Sequence, residues 1–308
     1  MSELTFTLLE NGLDYLQSAV EHLESKEERR LKYAIRDLFS GISLAFKERL
    51  ANESWCLLFE NVDEADEKKL VSGHFQSVAF KNCILRLNQL EEEMISEEFE
   101  NILYVLRDKR KNIEHYAISD NVNSLRSLSY KVLKFTLGFI SNKLEVEGSE
   151  YSTSISKLRE KIISYASYRK KRLIEIKGKL DEYDVIFKCP ECFNETFPLC
   201  TENRTCLFCF HSEVDGESLA YSYRSNVLHI SSYGIAKGRQ DEVLENCLEC
   251  GTESLILGFD DDGHICFECS EVYSHDSIDW CSKCGQIKSG STEESICSDC
   301  WDNIMDKD

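Results

Sequence analysis

The chain is poor in proline and glycine, with 2 prolines and 14 glycines among its 308 residues. This composition excludes proline-rich or glycine-rich linkers and disfavours a turn-rich all-β sandwich. Uninterrupted apolar runs stay far below the roughly 20 residues that a bilayer-spanning helix requires, so the sequence predicts no transmembrane helix. The first residues lack a basic segment followed by an apolar block. We therefore expect no secretory signal and a cytoplasmic location.

Basic residues are also scarce, and they are distributed unevenly along the chain. The 36 Lys and Arg residues are outnumbered by 56 Asp and Glu residues, which gives a formal net charge of −20. Residues 1–150 carry −8, residues 151–188 carry +5, and residues 189–308 carry −17 together with thirteen of the 15 cysteines. The apolar fraction of 42% supplies a hydrophobic core. The sequence therefore predicts an N-terminal domain, a basic connector and an acidic, cysteine-rich C-terminal part.

Apolar residues recur at intervals of three and four through residues 1–150, a pattern typical of amphipathic helices. The predicted fold is mainly α: a helical bundle over residues 1–150, a helical connector over residues 151–188, and small β-rich ribbons after it. The predicted segments are two helices within residues 9–50, a polar loop over residues 61–73, helices from about Ser77, from about Ile95 to Tyr116 and from Val122 to Leu144, and a connector helix over residues 155–180.

Twelve cysteines form six Cys-x-x-Cys pairs in the C-terminal part. In a reducing compartment this spacing indicates metal binding rather than disulfides. Two pairs can surround one tetrahedral ion and leave no position for water or substrate, which indicates structural sites. The spacings resemble those of zinc ribbons, so we expect three zinc ions rather than iron. The predicted ribbons are residues 189–240 with Cys189, Cys192, Cys206 and Cys209, residues 241–272 with Cys247, Cys250, Cys266 and Cys269, and residues 273–308 with Cys281, Cys284, Cys297 and Cys300.

Two glycines beside the cysteine pairs and the three unpaired cysteines also have predicted positions. Gly251 and Gly285 each follow a Cys-x-x-Cys pair, where a positive φ lets backbone amides turn toward the thiolates. Cys83 lies in an apolar stretch and Cys56 lies beside a tryptophan, so both are expected in the core. Cys200 does not fit the paired spacing and is not expected to be a ligand.

The charge of the ribbons limits what they can bind. Zinc with four thiolates carries about −2, so the zinc-loaded C-terminal part is more acidic than its own residues indicate. A surface of this sign repels phosphates and disfavours nucleic-acid binding. We expect the ribbons to contact a protein partner or to regulate this chain; the alternative is that they only complete the fold.

Polar and basic residues cluster near the end of the predicted fourth helix. Arg110 and His115 are separated by four residues, and the polar Asn112 lies between them. In a five-helix bundle, this arrangement resembles the Arg-x4-6-His motif of the HEPN superfamily. The segments at residues 58–63 and 77–80, with the sequences Leu-Phe-Glu-Asn-Val-Asp and Ser-Val-Ala-Phe, are similar to a bacterial branch of that family.

The resemblance covers about residues 1–145 and implies an activity. Many HEPN domains are metal-independent RNases that dimerise so that two motifs form one composite site, and many belong to toxin, CRISPR or phage-defence systems. For this chain the resemblance implies an RNA substrate, a homodimer and catalytic roles for Arg110, Asn112 and His115. One departure is Lys111, which stands where the family often has Asn directly after the Arg. Other HEPN domains have lost catalysis, so the alternative is a silent scaffold that recruits a protein through its acidic ribbons.

The residue types suit RNA cleavage by the RNA's own 2′-hydroxyl, which needs proton transfer and stabilisation of phosphate charge. Histidine suits the proton transfer because its pKa is ~6.5, and the arginine fork suits the phosphate. Asn112 shares a helix face with His115, whereas five residues of regular helix place Arg110 roughly 140° from His115. A two-fold dimer can bring the motif of a second chain next to the first, so that the two motifs form one site. Without catalysis, these are surface residues that pair with Glu114 or Asp108.

Other basic residues are candidate RNA contacts. The connector contains a cluster of four consecutive basic residues in an otherwise acidic sequence, and two tyrosines lie just before it. The cluster can instead be a solvated helix face, or it can bind the chain's own acidic part and hold the RNase in check. The predicted RNA-binding residues are Arg107, Lys111, Arg169, Lys170, Lys171 and Arg172.

Overall fold

The computed structural model describes residues 4–116, 119–144, 146, 151–200, 204–260, 263–290 and 295–305. The chain divides into two compact units, Met1–Leu173 and Ile174–Asp308. The first unit is helical, and the second combines small antiparallel sheets with short helices. The predicted fold class is confirmed: the protein is mainly α, with β-rich cysteine sites toward its C-terminus.

The predicted helices of the first unit are confirmed, with one addition. The segment expected to be a polar loop contains a helix of one and a half turns, because Asp66 caps its first turn by accepting from the Lys69 amide at 3.0 Å. Gly73, with φ of 71°, ends it. The helices are α1 (Leu8–Glu24), α2 (Leu31–Glu53), α3 (Glu67–Ser72), α4 (Phe80–Leu90), α5 (Glu97–His115), α6 (Val122–Lys143) and α7 (Ser152–Leu180), which ends in the second unit.

Helix α2 is the centre of the first unit and packs against α1, α4, α5 and α6. Its closest neighbour is α1, because glycines face each other where the two helices cross. A Cβ atom on Gly41 would lie 2.7 Å from the side chain of Leu16, and one on Gly12 would lie 3.3 Å from the Gly41 carbonyl oxygen. The apolar stripe that the sequence pattern predicts for α2 is buried at Leu31, Ile35, Leu38, Ile42 and Leu50, and Ala34, Ala45 and Phe46 are buried beside it.

In the part of the second unit that the structure describes, the strands form three antiparallel sheets. Strands β1 and β2 form one hairpin, β3 to β6 form a four-stranded sheet in chain order, and β7 and β8 form a second hairpin. The strands are β1 (Ile186–Lys188), β2 (Glu195–Pro198), β3 (Leu244–Asn246), β4 (Glu253–Asp260), β5 (Gly263–Cys266), β6 (Val272–Tyr273), β7 (Ile278–Trp280) and β8 (Ile287–Ser289); the helices are α8 (Gly216–Asn226), α9 (Ser232–Ala236) and α10 (Ser298–Met305).

Helix α8 joins the first two cysteine-rich segments into one hydrophobic core. Its Tyr223 ring lies 5.5 Å from Phe187 of β1 and 5.2 Å from Phe267, which directly follows β5. Phe259 of β4 lies 5.8 Å from Phe267. The α8 and α9 helices lie in the segment that the sequence predicted to be a small β-rich ribbon. Residues 189–240 and 241–272 therefore fold around a shared set of aromatic rings.

No helix that the structure describes combines the length and the apolar character needed to cross a membrane. The longest, α7, has 29 residues but carries basic side chains along its length.

Candidate functional sites

The twelve paired cysteines form three four-cysteine clusters, in the combinations that the sequence predicts. Within each cluster, all four sulfur atoms lie within 4.8 Å of one another. Cys189 and Cys209 are 3.8 Å apart at sulfur, and Cys247 and Cys269 are 3.7 Å apart. A tetrahedral ion with metal–sulfur distances of about 2.3 Å has sulfur–sulfur edges of about 3.8 Å. The clusters therefore have the size and donor set of sites for a metal ion such as zinc.

A repeated backbone turn places these sulfurs. In the second cluster, the Gly251 amide donates to the Cys247 carbonyl at 2.9 Å, and the Cys247 amide donates to the Thr252 carbonyl at 2.9 Å. The same two hydrogen bonds recur at four other Cys-x-x-Cys pairs. The residue after the second cysteine of these pairs has positive φ, as predicted for both glycines: Phe193 (57°), Phe210 (62°), Gly251 (74°), Ser270 (65°) and Gly285 (73°).

Hydroxyl groups and backbone amides surround the sulfurs and favour their thiolate forms. Thr196 Oγ1 lies 3.2 Å from the sulfur of Cys206, and Ser254 Oγ lies 3.1 Å from that of Cys266. In the third cluster, burial disfavours charge on Cys281, but amides of its own turn and of Cys297 lower its pKa to about 6. These partners stabilise the charge that metal binding requires.

The three clusters differ in their exposure to solvent. All four cysteines of the first cluster are buried. The second cluster has one exposed member, Cys250, and the third has an exposed Cys284 with two half-buried neighbours. Ile287 of β8 packs against Cys247, Leu255 and Cys266 beside the second cluster. Access to the metal sites therefore increases from the first cluster to the third.

The unpaired cysteines lie outside these clusters. Cys83 is 1% exposed, and burial raises the pKa of its thiol to about 12, which fits the predicted core position. Cys56 is half-buried within a short 3-10 turn, so its predicted core position holds only in part. Cys200 is half-buried and belongs to no four-cysteine group among the described residues.

The HEPN-like motif lies in the last two turns of α5. Arg110 is directed toward α2: its guanidinium carbon lies 5.5 Å from the centroid of the Phe39 ring, and its Nη2 atom lies 2.9 Å from Oε2 of Glu114. Asn112 and His115 are exposed, and α5 ends directly after His115. Across the ranges that the structure describes, no hydrogen bond or ion pair joins Arg110 to His115. Within one chain, Arg110 and His115 therefore lie apart, in keeping with the angle of roughly 140° expected from helix geometry.

The predicted RNA-binding residues lie on two helices. On α5, Lys111 is exposed, and Arg107 pairs with Asp108 at 2.8 Å. On α7, Arg169, Lys170 and Lys171 are exposed, and Arg172 is half-buried. Before this cluster, α7 is fastened to the bundle: Tyr165 stacks on Tyr130 at 3.9 Å, and Lys161 pairs with Glu24 at 2.9 Å.

A cavity of about 380 Å³ lies beside Arg110, and sequence reasoning missed it. Lys47 of α2 lines it together with Ser40 and Ser43. The spacing of these three residues, at positions i, i+3 and i+7, places them on one helix face. That polar stripe beside the apolar stripe of α2 was the signal that could have revealed the cavity.

Comparison with known proteins gives no relative for this chain: no protein-family model, no curated protein and no solved structure matches it.

Proposed function

We propose that the chain is a zinc-containing endoribonuclease of the HEPN type, which cleaves RNA without a catalytic metal at a composite site in a homodimer. The observation that carries the proposal is the position of the motif in the last turns of α5, where Asn112 and His115 are open to solvent and Arg110 lines a cavity. An exposed histidine and a nearby guanidinium supply the two kinds of group that the reaction needs. An effector of the toxin or phage-defence type is the class of protein that the resemblance favours.

In the proposed reaction, the 2′-hydroxyl oxygen of the RNA attacks the adjacent phosphorus. His115 accepts the proton of the 2′-hydroxyl and returns a proton to the departing 5′-oxygen, and Arg110 stabilises the negative charge that develops on the phosphate oxygens. The bond from phosphorus to the 5′-oxygen breaks, which leaves a 2′,3′-cyclic phosphate and a 5′-hydroxyl. Asn112 shares a face with His115 and orients the histidine or the RNA.

The directions of the two side chains support the proposal of a homodimer. Arg110 contacts Phe39 and Glu114, whereas His115 lies at the exposed helix end. An angular offset of roughly 140° along α5 separates them. We propose that a two-fold axis brings His115 of one protomer near Arg110 of the other, so that each scissile phosphate is held by residues from both.

For the second unit we propose three structural zinc ions. Closed sets of four thiolates suit zinc, and bound zinc supplies folding energy to segments with small cores. With thiolate ligands, the second unit is strongly acidic, so a role in binding a protein partner or in regulating the chain fits better than RNA binding.

One observation favours the second candidate, a silent scaffold that recruits a protein partner through the acidic ribbons. Oε2 of Glu114 lies 2.9 Å from Nη2 of Arg110 and therefore occupies a donor group that would otherwise bind phosphate. A permanently paired Arg110 would leave the motif inactive.

An RNase assay on the zinc-loaded full chain separates the two candidates. We expect cleavage of a broad RNA panel in the presence of EDTA, applied briefly enough that elemental analysis still finds the zinc. His115→Ala should abolish cleavage, whereas His74→Ala, which removes another exposed histidine of the same unit, should not. If wild type and His115→Ala are equally inactive on every RNA, the scaffold is favoured. Cleavage that EDTA abolishes but His115→Ala does not affect would indicate a different nuclease.

A further inference from the structure

We propose that the cavity beside Arg110 binds a phosphorylated nucleotide, with Lys47 as the residue that holds its phosphate. The inference deepens the proposed function, because it adds a substrate subsite and a binding residue that the Arg-x4-His motif does not contain. The cavity lies between α1, α2, α4 and α5, and its volume of about 380 Å³ falls in the range of small-molecule sites. The lining includes two cations and three aromatic rings, namely Lys47, Arg110, Tyr15, Phe39 and Phe80.

The charge of the cavity is opposite to that of the protein. Lys47 and Arg110 both line it, and no carboxylate belongs to its described lining, although the chain carries a net charge of −20. Glu48, the neighbour of Lys47, lines a different cavity near Arg49. Glu114 pairs with Arg110 but is not part of the lining, so the described lining has two cations and no carboxylate and favours an anion.

Lys47 is a partly desolvated cation without a counter-ion. Its Nζ atom donates to Ser77 Oγ at 2.9 Å, and no ion pair with a carboxylate is formed within the described part of the chain. Burial lowers the pKa of Lys47, against a smaller opposing effect of Cys83. Removing the Lys47 ammonium from water without pairing it with a carboxylate lowers the stability of the fold. A bound phosphate would offset that loss.

Arg110 has unused hydrogen-bonding capacity. Its Nη2 atom pairs with Glu114, but its Nε atom is buried and has no hydrogen-bond partner among the described residues. The guanidinium is held against the Phe39 ring at 5.5 Å. The side chain is 36% exposed and a guanidinium carries five N–H donors, so the donors on its terminal nitrogens that Glu114 does not occupy are open to a ligand in the cavity.

Aromatic rings form the apolar part of the cavity. Phe39 and Phe80 lie 4.7 Å apart, and Tyr15 belongs to the lining from the α1 side. The hydroxyls of Ser40 and Ser43 already donate to carbonyl oxygens of their own helix. A ligand that offers both a phosphate and a flat aromatic ring satisfies the cations and the rings together, and a nucleotide is such a ligand.

Two sources can supply this chemistry: a nucleotide of the RNA strand beside the scissile phosphate, or a free mononucleotide. The test measures binding by calorimetry to the zinc-loaded full chain with three probes, namely adenosine 5′-monophosphate, inorganic phosphate and a short 2′-O-methyl RNA that cannot be cleaved. Lys47→Met should weaken binding of nucleotide probes about tenfold or more, because a charge-assisted hydrogen bond is lost. Lys47→Arg should retain most of the affinity. Lys68→Met is the matched control, since Lys68 is exposed and outside the cavity, and it should bind as wild type does.

Each outcome tests the nucleotide-binding site independently of the RNase activity. Binding of the 2′-O-methyl RNA alone identifies an RNA subsite, and binding of the mononucleotide alone identifies a site for a free nucleotide. Lys47-dependent binding in a protein without RNase activity supports the inference and defeats the proposed function. Cleavage without Lys47-dependent binding, or binding of no probe, overturns the inference. If Lys47→Met fails to fold, acetylation of Lys47 in the wild type replaces it: protection by adenosine monophosphate supports the site, and its absence overturns it.

Discussion

Arg110 and Glu114 lie one turn apart on α5, and their Nη2 and Oε2 atoms are 2.9 Å apart. The same guanidinium contacts Phe39 and lines the cavity. Glu114 therefore competes with any phosphate for Arg110. An i,i+4 ion pair at a partly exposed position contributes only about 0.3–0.5 kcal/mol. A phosphate group can displace so weak a pair, so the pair lowers the affinity for phosphate without preventing its binding.

The first prediction concerns this pair. Glu114→Gln keeps the shape of the side chain but removes its charge, so Arg110 is freed for phosphate. We expect about twofold tighter binding of 2′-O-methyl RNA, since an ion pair of about 0.3–0.5 kcal/mol is lost, and faster RNA cleavage. Calorimetry and a single-turnover assay measure the two effects. Glu53→Gln, which removes the i,i+4 partner of Arg49 outside the cavity, should leave both unchanged. An unchanged affinity in Glu114→Gln would show that Glu114 does not compete for the ligand.

The second prediction concerns the order of metal loss. We expect elemental analysis to find three zinc ions per chain, and a strong chelator to remove them in sequence. The third cluster should lose its ion first because Cys281 is its one buried cysteine, and the first should lose it last because its four cysteines are buried. Alkylation during release, followed by mass spectrometry, identifies the freed thiols.

Cys83 serves as an internal control in that experiment. Its thiol is buried and has a pKa of about 12, so it should stay unmodified until the helical unit unfolds. Simultaneous release of all three ions, or release from the first cluster before the third, would contradict the predicted order.

The third prediction follows from the aromatic core that the first two clusters share. Tyr223 lies on α8, away from every cysteine in the sequence, yet its ring contacts Phe187, Phe259 and Phe267. Tyr223→Ala should cost about 3 kcal/mol or more, and the first and second clusters should lose their metal to a chelator together and earlier. Phe139→Ala, in the helical unit, is the matched control: it should lower the melting temperature without altering metal release.

Local patterns in the sequence predict most of this fold. Periodic apolar residues such as Ile35, Leu38 and Ile42 predict α2, because one face of a helix must be buried. The paired cysteine spacing predicts the membership of all three clusters, because five of the six Cys-x-x-Cys turns are closed by hydrogen bonds within six residues. Both features depend only on neighbours in the sequence.

Long-range packing and short elements were beyond that reasoning. The α3 helix has six residues, too few for an apolar period, and it is defined by its cap at Asp66. The partnership of Tyr223 with Phe267 joins segments 44 residues apart, and no local pattern encodes it. The cavity depends on the mutual placement of Lys47 and Arg110, which come from different helices. Sequence reasoning located Arg110 but not the pocket that it lines.

The last prediction tests the proposed composite site. If each site takes Arg110 from one protomer and His115 from the other, Arg110→Ala and His115→Ala homodimers are both inactive, since every site lacks one group. In a mixed dimer, one site has both intact residues and the other has neither. Random exchange makes half of the dimers mixed, so mixing the two inactive proteins should restore about one quarter of wild-type cleavage. The measurement is RNase activity after the variants are co-incubated long enough to exchange subunits, with a differently tagged pair to quantify mixed dimers. Recovery should follow the fraction of mixed dimers and vanish when Arg110→Ala is mixed with the double variant. Mixed dimers without recovered activity would show that both residues act within one chain or that neither is catalytic, and a strictly monomeric chain at micromolar concentration would exclude the composite site.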